Sequence, residues 1–251
     1  MDVLFLPPIF NLAAAVVCLI GAVKMHFVSS EKGDNVNIRY YFYSFVFITL
    51  YLLASGLPIL LVEDSYIVFV LTALFRPFLL LGGMFLSLIA LNLLKAGKLS
   101  DFYIFGVLFT ILLSSVLTFL GIRGIGRATL ASLTEAGYWI RPDSELITYG
   151  MISIGIVFVT SLFFSSVYYF WFAVTRRKHE VPFGKALMMG MSCTFFSFAA
   201  IANYILGANP DNYFLASLIA SLMFIMGAVT LIGGVTYKGE KKKESIQYKV
   251  S

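Results

Sequence analysis

Residues 66–95 read YIVFVLTALFRPFLLLGGMFLSLIALNLLK, and Arg76 is the only charge in the run before Lys95 closes it. Apolar residues follow one another without alternation. A strand of a membrane barrel would alternate polar and apolar side chains over about ten residues. Backbone groups in hydrocarbon must hydrogen-bond within their own segment, which makes this run a helix. About 20 apolar residues cross about 30 Å of hydrocarbon. A run this long therefore tilts, or extends a turn or two beyond the lipid.

Six more stretches qualify as spans, near 3–23, 38–62, 101–121, 146–175, 183–207 and 212–236. Little more than tight turns separates the second span from the third (Glu63, Asp64, Ser65) and the sixth from the seventh (Ala208 to Asp211). The composition agrees. Of 251 residues, 60% are hydrophobic, 16% aromatic and 12% charged, and the mean hydropathy is +0.91. A soluble domain carries about 45–50% apolar and about 25% charged residues, and disorder requires low hydrophobicity with high charge. Both are excluded. So is a nucleic-acid binder, because the net charge of +5 is spread over helix ends rather than gathered in a groove or arm. The expected fold is an all-α, polytopic bundle of seven transmembrane helices over residues 1–237, followed by a basic tail over 238–251.

Orientation follows from the basic residues. Lys24, Lys32, Arg39, Lys95, Lys98, Arg176, Arg177, Lys178, Lys185, Lys238, Lys241, Lys242, Lys243 and Lys249 fall on one side, which is 14 of the 18. Arg123, Arg127 and Arg141 fall on the other, and Arg76 lies within a span. The basic side is expected to be cytoplasmic, with the N-terminus outside, the C-terminus inside, and the cell membrane as location. The first span has Met1-Asp2 before it and Lys24 after it, so it reads as a retained helix rather than a signal peptide. Tyr40 to Tyr43, Tyr168 to Phe172, and Tyr213 with Phe214 mark interfacial belts.

The outer segment from Gly121 to Glu145 is expected to open as a flexible turn at Gly121-Ile-Arg-Gly-Ile-Gly and to carry a short surface helix over Arg127–Ala136. No strand precedes these glycines and no Gly-Lys-Ser/Thr follows, so they are not a phosphate loop. The Lys241-Lys-Lys run of the tail is expected near anionic lipid, at about 1 kcal/mol per Lys. Cys18 and Cys193 lie inside spans and form neither a disulfide framework nor a metal set. His26 and His179 sit beside basic residues at the inner interface.

The 13 Asp and Glu residues all fall in loops, tails or span edges. Proton and sodium pathways rely on intramembrane carboxylates or His, so proton coupling is not expected. An enzyme is not expected either. There is no His-Glu-x-x-His, no pair of buried carboxylates, and no Ser placed with a buried Lys or His to activate it. No cofactor is implied.

Arg76 is about 11 residues, or roughly 16 Å, into its helix. A charge at such depth costs at least about 2.5–3.5 kcal/mol on insertion scales and needs a partner. Pro77 removes a backbone donor and frees the carbonyl of Ala73, which Arg76 could bond; alternatively its side chain could reach outward to Glu63 and Asp64. The functional reading is that Arg76 anchors an anionic ligand such as a lipid phosphate, a fatty-acid carboxylate or a small anion. Asn11, Ser55, Thr118, Ser153, Asn203, Ser217 and Ser221 fall at similar outer-half depth and complete the candidate site. Small polar stripes (Thr110, Ser114, Thr118; Ser161, Ser165; Ala216, Ala220; Ser217, Ser221) are expected to pack helix on helix. Met188, Met189 and Met191 read as adaptable filler.

The layout resembles that of rhodopsins and G-protein-coupled receptors in topology alone. No Lys lies between Tyr213 and Val235 to form a retinal Schiff base, and Asn92-Leu-Leu-Lys95 stands where receptors carry acidic-Arg-Tyr. It also resembles the three-plus-one-plus-three sugar transporters. Those use helix-breaking Pro in both halves; here Pro58 and Pro77 lie in the first half, spans five to seven have no interior Pro, and no sequence repeat links the halves. A third resemblance is to the heptahelical sensory regions found ahead of bacterial signalling domains. The expected function is a non-enzymatic ligand-binding or sensory module near Arg76. Its expected partners are membrane lipids, an anionic or hydrophobic ligand, and a membrane protein. A small facilitator without proton coupling and an accessory subunit of a larger complex are the alternatives.

Overall fold

The computed structural model describes residues 6–32, 35–62, 65–132, 145–204 and 213–237. Its elements are seven α-helices: α1 (Leu6–Lys32), α2 (Val36–Leu61), α3 (Ser65–Leu93), α4 (Gly97–Ser132), α5 (Glu145–Thr175), α6 (Glu180–Tyr204) and α7 (Tyr213–Thr236). Each is long and apolar enough to cross a membrane. The chain therefore reads as a multi-pass integral membrane protein. The turns around Glu63 and Ala208, the loop over 133–144 and the tail from 238 lie outside the described residues, as does the end of the sixth span beyond Tyr204.

Local chemistry sets the ends. The side chain of Asn35 accepts from the Asn37 N–H at 3.0 Å and caps α2. Lys95, at φ 55°, reverses the chain between α3 and α4, and the Ala96 N–H bonds back to the Leu91 carbonyl at 3.1 Å. That is the left-handed closure that usually takes glycine. Pro58 and Pro77 lie inside α2 and α3, which continue through them.

The expected turn at Gly121–Gly126 is corrected: α4 runs through it to Ser132. A helical Gly costs about 1 kcal/mol relative to Ala. The interleaved Ile122, Arg123, Ile125 and Arg127 carry no breaker, so the helix absorbs that cost. A Cβ at Gly124 would meet nothing within 4 Å among the described residues outside its own helix backbone.

Helices α1, α2, α3, α5, α6 and α7 form a ring that closes where α7 meets α1, and α4 packs outside it against α3 and α5. Phe45, Phe158, Phe196 and Phe224 fill the interior. Lipid gives helices no hydrophobic reason to associate, so close packing and interhelical hydrogen bonds must hold the ring. One device recurs along it. Ser44 on α2 donates to the Gly82 carbonyl on α3 at 2.9 Å, and Ser192 on α6 donates to that of Gly227 on α7 at 2.7 Å. Ser114 and Ser166 bond Gly150 and Gly190 across α4–α5 and α5–α6 in the same way. A glycine without a side chain lets the hydroxyl reach the backbone.

The first two of these bonds match in detail. One turn beyond Ser44, Ile48 packs on Gly82; one turn beyond Ser192, Phe196 packs on Gly227. In that register Ser44, Phe47, Thr49, Ala54 and Ser55 of α2 correspond to Ser192, Phe195, Ser197, Ala202 and Asn203 of α6. Thr49 and Ser197 each bond the carbonyl four residues back, at 2.7 and 2.9 Å. The α1–α3 and α5–α7 halves thus repeat one arrangement in the same orientation. Ser44→Ala and Ser192→Ala are each expected to cost about 0.6 kcal/mol, the average for such bonds in membranes. The costs should add, because the two seams share no partner. Unfolding of the single and double variants in bicelles checks this.

Candidate functional site

The candidate residues divide between two seams of the ring. At the α7–α1–α2 seam they converge. The Ser221 hydroxyl lies 2.8 Å from both Asn11 Oδ1 and the Ser217 carbonyl, to either of which its one hydrogen can be donated, and 3.4 Å from the Pro7 carbonyl. Asn11 Nδ2 donates to Ser55 at 3.3 Å, and Ser55 to the Leu52 carbonyl at 3.0 Å. The side chains of Asn11, Ser55 and Ser221 have partners inside the knot, to which Ser217 contributes its backbone carbonyl, and the knot pins three helices at the end opposite the basic loops. Just below it, Asn203 donates to the Tyr51 hydroxyl at 3.3 Å across the ring, and the Tyr51 ring lies against Phe224 at 5.9 Å.

The α3–α4–α5 seam holds Arg76, Thr118 and Ser153. Ser153 donates to the Gly150 carbonyl at 2.8 Å, the same oxygen that Ser114 reaches. Thr118 is 7% exposed and faces Gly150 from α4. Ser114 and Thr118 of the expected stripe are thus buried against α5, whereas Thr110 bonds its own helix at Gly106. The Arg76 guanidinium lies over the Phe69 ring, 5.9 Å from its centroid. Phe69 belongs to a small apolar cluster with Ala73 and Ile147, against which Ile122 and Met151 pack. Arg76 Nη1 is buried, and among the described residues no hydrogen-bond partner is found for it. It does not take the Ala73 carbonyl that Pro77 was expected to free. Glu63 and Asp64 lie outside the described residues.

The repeat explains the contrast. In the register that puts Gly82 on Gly227, Arg76 stands where Ser221 stands in the other half. Ser221 finds acceptors in the knot. At the matching seam Asn203, the counterpart of Ser55, turns to Tyr51, and Arg76 Nη1 finds no acceptor among the described residues.

A second feature was not foreseen. A cavity of about 500 Å³ lies inside the ring at its basic end. Met25 and Val28 of α1 face it, as do Tyr169 and Phe172 of α5, and Asn37, Ile38 and Tyr41 of α2 face Lys185, Ala186 and Met189 of α6. These are corresponding positions of the two halves. Tyr41 and Met189 meet directly: the hydroxyl lies 3.4 Å from the sulfur. The sequence assigned Lys185 to the inner loops and Tyr41 and Tyr169 to the belts. Lys185 lies one turn into α6, with Ala186 and Met189 on its face, and that placement was the available signal. Among the described residues, no group of three or more His, Cys, Asp or Glu could hold a metal ion.

No family model, no curated protein and no solved structure matches the chain.

Proposed function

We propose that the chain is a non-enzymatic, heptahelical ligand-binding or sensory module, with its N-terminus outside and its basic end in the cytoplasm, and that Arg76 anchors an anionic or hydrophobic-anionic ligand. The supporting observation is the buried Nη1 donor of Arg76, which finds no hydrogen-bond partner among the described residues. A guanidinium presents five donors in a fork that suits carboxylate or phosphate. A ligand acid would supply the acceptor missing at this seam. Thr118 and Ser153 belong to the same seam; Asn11, Ser55, Ser217 and Ser221 would act as the rigid counter-seam rather than as ligand contacts. Native mass spectrometry of the purified chain is expected to show a retained lipid or anion that Arg76→Ala loses. A wild type that carries nothing, and a variant of equal stability, would refute the assignment.

One observation favours a second reading, a facilitator without proton coupling. The ring holds an open-mouthed cavity at one end, while a hydrogen-bonded knot joins three helices at the other. Solute flux into liposomes holding the purified chain alone would support it.

A further inference from the structure

We propose that the cavity at the basic end is a binding site for a single-chain anionic amphiphile, with the acid group at Lys185 and the apolar chain between the two halves of the ring. Its volume of about 500 Å³ lies within the roughly 300–1,000 Å³ of small-molecule sites. Most of its wall is apolar, with Met25, Ile89 and Ala186 among the side chains. The polar groups are few: Asn35, Asn37, Tyr41, Tyr169 and Lys185. Lys185 is the one charged residue of the described lining, and its counterpart in the other half is the neutral Asn37. The cavity therefore carries its positive charge on one side only.

Asn37 and Tyr41 are also placed to donate. Asn37 Oδ1 is taken by Asn92 Nδ2 at 2.7 Å, which leaves the Asn37 amide N–H₂ to donate. The Tyr41 hydroxyl pairs with that of Tyr169 and is also directed at the Met189 thioether at 3.4 Å, a weak acceptor that a carboxylate or phosphate oxygen would displace. An ammonium, an amide N–H₂ and a hydroxyl thus surround an apolar chamber whose described lining holds no acidic side chain. That donor set selects an acid group, and the chamber selects an acyl or alkyl chain behind it. Arg76 does not line this cavity, so the assignment is independent of the reading given above.

The test uses the full chain in nanodiscs of zwitterionic lipid, titrated with dodecanoate, dodecyl phosphate, dodecanol and inorganic phosphate. Dodecanoate or dodecyl phosphate is expected to bind, whereas dodecanol and phosphate alone bind at least tenfold more weakly. The tighter of the two acids tells whether a carboxylate or a phosphate headgroup is preferred. Lys185→Gln is expected to weaken the preferred acid roughly tenfold to a hundredfold, the range of a charge-assisted hydrogen bond. Ala186→Phe, which fills the chamber, should weaken both acids and leave Lys185 in place. Repeating the titrations in an Arg76→Ala background removes any acid held at the Arg76 seam from the reading, and the Lys185-dependent binding should persist there. Equal affinity of wild type and Lys185→Gln for the acids, equal binding of dodecanol, or loss of binding in Arg76→Ala alone would overturn the proposal. The last result would instead place the amphiphile at the Arg76 seam.

Discussion

Arg76→Met is expected to make the ligand-free chain harder to unfold while removing its hold on an acidic ligand. An Arg deep in a span costs at least about 2.5–3.5 kcal/mol on insertion scales. The Phe69 ring at 5.9 Å returns about 0.5–1 kcal/mol as a cation–π contact. Nη1 finds no hydrogen-bond partner among the described residues to return any of it. A deficit of about 1–3 kcal/mol remains, and Met, long and uncharged, fills the same space without it. Stripped of lipid, the variant should therefore unfold later than wild type in bicelles. With ligand restored the order should narrow or reverse, because a ligand stabilises only the chain that binds it. Arg76→Lys keeps the charge but loses the planar fork and should hold the ligand less well than wild type. A variant less stable than ligand-free wild type would show that the guanidinium supports the fold, and the site assignment would fail.

The seven spans were legible because lipid tolerates little besides an uninterrupted apolar helix, so length and hydropathy alone locate them. What escaped is informative. The end of α4 was misread because glycines mark turns in water-soluble chains, whereas Gly121 to Gly126 here continue a helix. The repeat escaped because it is kept in packing rather than in identity. Ile48 and Phe196 do one job on Gly82 and Gly227, yet share no chemistry beyond being large and apolar. The grouping of the site residues could not be read at all. Asn11, Ser55 and Ser221 share a depth with Ser153 and Thr118, but depth says nothing of azimuth around the ring, and the structure places the two sets at different seams. Lys185 was hidden by its neighbours. In a run of inner-side cations, one that points into the bundle looks like those that point into water.

Gly83→Leu is expected to damage the ring severely. A Cβ at Gly83 would stand 2.6 and 2.7 Å from ring carbons of Phe158, and Phe158 is 0% exposed, so its ring has nowhere to go. Beside it, a Cβ at Gly82 would lie 2.6 Å from Ile48 and 3.3 Å from the Ser44 carbonyl. Any shift of α3 away from Phe158 therefore drives it against α2 and breaks the Ser44–Gly82 bond. Overpacking of a filled interior costs about 1–3 kcal/mol and occasionally more. Because two seams fail together here, the cost is expected at or above the top of that range, with loss of the monodisperse peak in size-exclusion chromatography. Gly124→Leu and Gly106→Leu on α4 supply the contrast. Nothing lies within 4 Å of either position, so Leu meets lipid or solvent and removes a helix-interior glycine, for a gain of up to about 0.8 kcal/mol. If the damage at Gly83 comes from the Phe158 ring, Phe158→Ala must rescue it. Alone that change costs about 3–5 kcal/mol through the cavity it leaves, but in the Gly83→Leu background the new side chain occupies that cavity. The double variant should then be more stable than the sum of the two single effects allows. A strictly additive pair would show that α3 and α5 do not meet where the ring requires them to.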